Sequence, residues 1–239
     1  MKGIRHMFRV LLVGAVLAVA VSSADGGDVL FREDFNDLSQ WEASHFPKID
    51  RHSAYSIVHD DSGSYLQAAS DASASAILYK ERFDAGRYPR VRWRWKIEKV
   101  YEKGNAAEKA GDDYPIRIYI VFQYDPAEAS IADRLTFGLA KTVYGEYPPH
   151  SSLNYIWANR APVGTVMANP YTARARMIVL ESGNGNAGEW VDEEIDIRGD
   201  YRIAFGASPP PIAGIAIMND SDNTGEGSVS YVDFIEVFR

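Results

Sequence analysis

The sequence predicts an all-β fold: a jelly-roll-type β-sandwich with one inserted amphipathic helix. Three observations carry that prediction. Two runs, "VRWRWKIEKV" from residue 91 and "IRIYIVFQY" from residue 116, alternate apolar and polar residues with period two. Many other short apolar runs are separated by clusters of Gly, Pro, Asn, Asp and Ser, as in sandwiches. One stretch, Asp125 to Gly145, has helical spacing instead.

The chain opens with Lys2, Arg5 and Arg9, a purely apolar run from Val10 to Val21, and the small residues Ser22 and Ala24. A basic start, a short apolar middle and a small-x-small exit describe a secretory signal peptide over residues 1–24. The apolar run is shorter than the roughly 20 residues that span a bilayer. Cleavage after Ala24 is expected, the alternative being a retained N-terminal anchor. The mature chain, residues 25–239, is then expected to be one β-sandwich domain with no further membrane span, periplasmic or extracellular.

Strands are expected at "VLFREDF", "YSIV", "YLQAAS" and "AILYKER". Next comes the run in which Val91, Trp93, Trp95 and Ile97 oppose Arg92, Arg94, Lys96 and Glu98. In the following one, Ile116, Ile118, Ile120 and Phe122 oppose Arg117, Tyr119, Val121 and Gln123. In the helical stretch Ile131, Leu135, Leu139 and Val143 recur every four residues. Asp125 is the N-cap, Pro126 opens the first turn and Gly145 closes it. "NYIWAN", "ARMIVLES" and "GEWVDEEIDI" follow as strands, a short helix is expected to start at Asp200, and "IAGIAIM" and "SVSYVDFIEVF" complete the set.

Composition excludes several classes. Lys+Arg 25 less the three in the leader gives 22, so against 33 Asp+Glu the mature net charge is −11. Nucleic acid is therefore not an expected partner. The absence of cysteine removes disulfides, thiol redox and zinc–thiolate sites, and five scattered His offer no zinc set. Core packing must hold the fold, with 12% aromatic residues to fill it.

Several constellations could carry chemistry. Arg92, Arg94 and Lys96 form one row, with Arg117 and Tyr119, then Arg174 and Arg176, as further rows if their strands adjoin. Such a face either binds an acidic glycan or other anion through guanidinium forks or pairs with neighbouring Asp and Glu. Asp112 and Asp113 enter the strand that carries Arg117, as metal or sugar ligands or as turn caps. Glu194 and Asp196 resemble the start of the Glu-x-Asp-x-Glu strand of laminarinase-type hydrolases, but the acid/base position falls on Arg198, which cannot supply a proton. In "DSDNTGEG", Asp220, Asp222, Thr224 and Gly225 fit the first half of an EF-hand loop. Its twelfth position is Tyr231 and its flanks read as strands, which excludes an EF-hand. The loop is then a hairpin connection or another kind of site.

The order of these segments, from about Phe31 to the end, resembles a bacterial family known as domain of unknown function 3047. The pieces that carry the resemblance are Trp93 with Trp95, Asp113 with Arg117, Tyr155 with Trp157, Trp190, Phe205-Gly206 and Asp220-x-Asp222-Asn223-Thr224. It implies an exported bacterial β-sandwich, similar to concanavalin-like and carbohydrate-module folds, and supplies no reaction. Many such modules hold a structural calcium between their first and last strands. That resemblance implies Glu33, Asp34 and Asp233 as metal ligands.

The functional expectation is a non-catalytic cell-envelope domain that binds a glycan or another anionic small molecule. Asp113, Arg117, Tyr155, Trp157, Asp220 and Asp222 are expected to line one site. Two alternatives stay open. One is a polysaccharide lyase or hydrolase, with Tyr119, Arg117 and His150 in the lyase roles. The other is a structural envelope protein that binds another protein.

Overall fold

The computed structural model describes residues 28–47, 49–61, 63–127, 129, 134, 137 and 147–239. The leader expected over residues 1–24 lies outside the described residues, as does most of the helix expected from Asp125 to Gly145. Of that stretch Asp125, Pro126, Ala127, Ala129, Arg134 and Phe137 are described, and the last two are helical.

The described strands are β1 (Val29–Glu33), β2 (Trp41–Ser44), β3 (Ala54–Asp60), β4 (Gly63–Asp71), β5 (Ala74–Tyr79), β6 (Phe83–Asp84), β7 (Arg90–Ile97), β8 (Arg117–Phe122), β9 (Ser151–Ala158), β10 (Val166–Asn169), β11 (Thr172–Ser182), β12 (Val191–Asp196), β13 (Ile212–Asp220) and β14 (Gly227–Phe238). Helix α1 (Ile197–Phe205) joins β12 to β13. Two sheets form the sandwich. Sheet A runs β12-β7-β14-β4-β3, with β1 also on β14. Sheet B runs β10-β11-β9-β8-β13-β5-β2, with β6 also on β13. Among the described residues all strand pairings are antiparallel except that of β11 with β9.

The period-two runs do what alternation demands. Val91, Trp93, Trp95 and Ile97 of β7 face inward and are fully buried, as are Ile118, Ile120 and Phe122 of β8. Across the sandwich Trp93 packs on Tyr155 at 5.6 Å between ring centroids, and Trp95 on Trp157 at 5.8 Å. Such aromatic pairs add about 0.5–1.5 kcal/mol each beyond the area they bury. The first and last strands do lie side by side, with Glu33 opposite Ile235.

Two local expectations need correction. Helix α1 begins at Ile197, not Asp200. Asp196 is its N-cap and accepts a hydrogen bond from the Arg198 amide at 3.0 Å, while Gly206 closes it with a left-handed φ of 70°. The three basic rows do not share a face either, because β7 belongs to sheet A whereas β8 and β11 belong to sheet B.

Candidate functional site

Arg117 opens β8 on the outer side of sheet B, yet it is 3% exposed. The segment between β7 and β8 folds over this side. Its Ala106 and Tyr114 pack on Ile156, Ala158, Met177 and Val179 in a second apolar cluster. Beneath it the guanidinium is gripped from several directions. Nε donates to Asp220 Oδ1 at 3.0 Å, and Nη2 donates to Asp220 Oδ2 and to the Asp112 carbonyl. Nη1 lies 3.6 Å from Asp112 Oδ1, and the ring of Tyr114 is 4.7 Å from the guanidinium carbon. Burial opposes the charge on Arg117, but Tyr119, Asp112, Tyr114 and Asp113 outweigh it, so its pKa stands above the ordinary arginine value.

Asp113 is fully buried and organises the loop after β13. Its carboxylate accepts from the Thr224 amide at 2.6 Å and from Asn223 Nδ2 at 2.9 Å. The loop closes with the Gly225 amide donating to the Ser221 carbonyl at 2.9 Å, Gly225 having a φ of 70°. Asp222, on that loop, is partly exposed, and its pKa is raised first by burial and then by Asp113. Carboxylate oxygens of Asp113, Asp220 and Asp222 come within 4.8 Å of one another. Among the described residues this is the trio able to face a cation, although Arg117 already engages both oxygens of Asp220.

Asn159 locks the covering segment in place. Its Nδ2 donates to the Asp113 carbonyl at 2.7 Å, and its Oδ1 accepts from the Tyr101 amide at 2.7 Å. A Cβ on Gly104 would run into the Asn159 amide. We expect Gly104→Ala to displace Asn159 and lower stability by about 1–3 kcal/mol, measured by urea unfolding.

Four of the six expected site residues, Asp113, Arg117, Asp220 and Asp222, are thus brought together. Tyr155 and Trp157 are not. They point from the opposite side of β9 into the core, where the Tyr155 hydroxyl donates to Asp200 at 2.9 Å and Trp157 Nε1 to the Gly183 carbonyl at 3.0 Å. Glu33, Asp34 and Asp233 have separate partners. Glu33 accepts from the Phe35 amide at 2.6 Å and from Trp41 Nε1 at 3.2 Å. Asp34 pairs with Arg32 at 2.7 Å, and Asp233, at a bulge of β14, with Arg94 at 3.5 Å. Glu194 pairs with Arg90, and Asp196 caps α1. His150 lies past the Phe122 end of β8. Arg117 is at the start of that strand, about 16–20 Å away by strand rise.

The outer face of sheet A holds a feature that sequence reading passed over. Most of its arginines are paired: Arg92 with Glu236 at 2.6 Å and Arg94 with Asp192 at 2.9 Å. At the far end of the row the pattern changes. Lys96 has no carboxylate within ion-pair distance among the described residues. Its ammonium instead lies 4.5 Å from the Trp190 ring centroid and 4.7 Å from that of Tyr231. Tyr65 completes the cluster, its ring 5.5 Å from Trp190 and 5.7 Å from Tyr231, close to perpendicular to both. The Tyr231 hydroxyl donates to Glu98 at 2.9 Å, and burial followed by this contact pushes its pKa up to about 12. Tyr65, Lys96, Trp190 and Tyr231 are all partly exposed. Register sets Lys96 opposite Tyr231, and Val191, next to Trp190, opposite Trp95.

The family model described as protein of unknown function (DUF3047) matches residues 39–236, so the chain belongs to that family. Comparison with curated proteins finds no match. Among solved structures the chain is similar in fold to the enzymatically active domain of bacteriophage CBA120 tailspike protein 4, with a TM-score of 0.40 at 10% identity. That match covers 86% of this chain and only 20% of the tailspike chain. A Crh5 transglycosylase in complex with NAG gives a TM-score of 0.41 at 12% identity, covering 87% of this chain and 83% of the other. Lectin I-B4 from Griffonia simplicifolia gives 0.40 at 10% identity, covering 87% and 97%.

Proposed function

We propose that this member of the DUF3047 family is an exported, non-catalytic carbohydrate-binding domain that docks glycans on the outer face of sheet A, at Trp190. The observation that carries this reading is the partly exposed cluster of Tyr65, Trp190 and Tyr231 with Lys96 and Glu98 at its edge. Aromatic rings offer apolar area at low conformational cost, which suits the C–H faces of a pyranose. A carboxylate and an ammonium beside them supply an acceptor and donors for hydroxyls. The ammonium without a carboxylate partner favours glycans that carry acidic groups. Export is supported by the leader pattern over residues 1–24. The non-catalytic part is supported by the engagement of Glu194 with Arg90 and of Asp196 at the start of α1.

The test is calorimetry and glycan arrays with the mature chain and with Trp190→Ala. We expect binding to an acidic or neutral polysaccharide, weakened at least about tenfold in the variant with thermal stability nearly unchanged. Lys96→Met should weaken acidic ligands more than neutral ones. The reading fails if no polysaccharide binds, or if Trp190→Ala binds as the unaltered chain does.

A further inference from the structure

Three residues beyond Trp190, on the inner side of β12, lies a carboxyl in an unfavourable place. Glu193 sits opposite Trp93 on β12. Its Oε1 is buried and, like the indole nitrogens of Trp93 and Trp95, makes no well-aligned hydrogen bond among the described residues, although the Trp95 indole lies near enough to act on the carboxyl. The inward residues of β7, namely Val91, Trp93, Trp95 and Ile97, carry no charge, and neither does Trp157 across the sandwich. The charged groups that act on Glu193 are Glu181 from β11 and Asp192 from its own strand, both anions. Burial first, and Glu181 second, push its pKa up to about 7, with the Trp95 indole only partly opposing them.

The strand that carries Glu193 is the one best able to yield. Among the described residues β12 is an edge strand, held in sheet A by β7 alone. The loop before it, which ends at Trp190, is held at a few points. The Gly188 amide donates to the Ile97 carbonyl at 2.8 Å, Asn184 Oδ1 accepts from the Val100 amide at 2.8 Å, and Asn186 Nδ2 donates to Glu181 at 3.0 Å. The last of these joins the loop to the carboxylate that faces Glu193.

We propose that Glu193 is a protonation latch for the Trp190 face. With its carboxyl neutral, β12 lies closed on β7 and Trp190 stays in the cluster with Tyr65 and Tyr231. With it ionised, the carboxylate turns out to water, β12 loosens and the cluster opens. The closed form holds a proton that the open form gives up between the ordinary carboxylate range and about pH 7. Closing therefore weakens as pH rises through that window and is strongest below it. The consequence for ligand binding rests on the glycan reading above; the movement of β12 does not.

Hydrogen exchange of peptides covering residues 189–196, corrected for the intrinsic pH dependence of exchange, tests the latch in the mature chain. Between about pH 6 and about pH 8 we expect exchange there to rise about tenfold, with the central strands unchanged. Glu193→Gln, a neutral isostere, should abolish the rise, and Glu181→Gln, which removes the like charge, should shrink it. A flat profile in the unaltered chain overturns the latch, as does an undiminished rise in Glu193→Gln. Glycan affinity over the same range separates the two ideas. Exchange that moves with no glycan bound at any pH leaves the latch standing and removes the glycan reading. Glycan binding with pH-indifferent exchange does the reverse.

Discussion

Replacing Arg117 with Ala is expected to lower stability by about 3–5 kcal/mol, because it leaves buried anions without their counter-charge. Asp220 is 1% exposed and Asp112 is 3% exposed, and both depend on the guanidinium. Asp113 lies beside them, fully buried. For a domain of this size the loss corresponds to a fall of about 6–20 °C in Tm. Arg117→Lys should recover only part of it, since a single ammonium cannot make the forked contact to both oxygens of Asp220 and also reach the Asp112 carbonyl. The deficit of Arg117→Ala should shrink in acid, as protonation neutralises the orphaned carboxylates. Thermal unfolding followed by circular dichroism at two pH values measures both effects. A loss below about 1 kcal/mol would show that the carboxylates find other support.

That expectation separates two parts of the molecule. The acidic loop after β13 carries conspicuous chemistry, but most of its polar contacts hold the segment between β7 and β8 against sheet B. The Trp190 face is the reverse: its parts are unremarkable one by one and become a surface when four chain segments meet. Arg117→Ala should therefore unsettle the fold, and Trp190→Ala should alter recognition with the fold intact.

How far each part could be read in advance follows from the same physics. β7 was legible because one of its faces is buried and the other solvated, so Val91, Trp93, Trp95 and Ile97 alternate cleanly with charge. β9 was not legible as to direction. The segment between β7 and β8 covers its outer side, so Ile156 and Ala158 are as buried as Tyr155 and Trp157, and polarity no longer marks the face. Tyr155 and Trp157 were read as site residues through the family resemblance, and no local polarity pattern on β9 marked them as inward-facing. β2, β6 and β10 escaped because stretches of two to four residues are too short for a period to show. Asp113, Arg117 and Asp222 were grouped through the family resemblance, not through spacing, since more than 100 residues separate the β8 end from the loop. The Lys96–Trp190–Tyr231 cluster depends on strand register in sheet A, which the sequence does not encode locally.

A second large effect is expected at Asn219, a fully buried amide on β13. Its Nδ2 donates across the sandwich to the Ala68 carbonyl of β4 at 2.9 Å and to Ser230 Oγ of β14 at 3.2 Å. Its Oδ1 accepts from the Tyr101 hydroxyl at 3.2 Å, and that hydroxyl has Ser70 Oγ as its other partner at 2.8 Å. The Asn219 carbonyl accepts from Ser53 Oγ at 2.6 Å, and its amide donates to the Tyr55 hydroxyl at 3.2 Å. One side chain thus ties sheet B to two strands of sheet A. Asn219→Leu keeps approximate volume but strands the Ala68 carbonyl, Ser230 and Tyr101. Losing several buried partners together should cost about 3 kcal/mol or more. Asn219→Asp keeps the shape and the Oδ1 acceptor but turns a donor facing the Ala68 carbonyl into a carboxylate oxygen. Folding then favours the protonated acid, so this variant's folded-state pKa is raised and its stability is present in acid and lost as pH rises. Urea unfolding near about pH 5 and about pH 8 should show Asn219→Asp approaching the unaltered chain at the lower pH and falling well below it at the higher. Asn219→Leu should show no such recovery, because its missing donor cannot be restored by a proton. If Asn219→Asp were equally stable at both pH values, the amide would not be the donor that bridges the sheets.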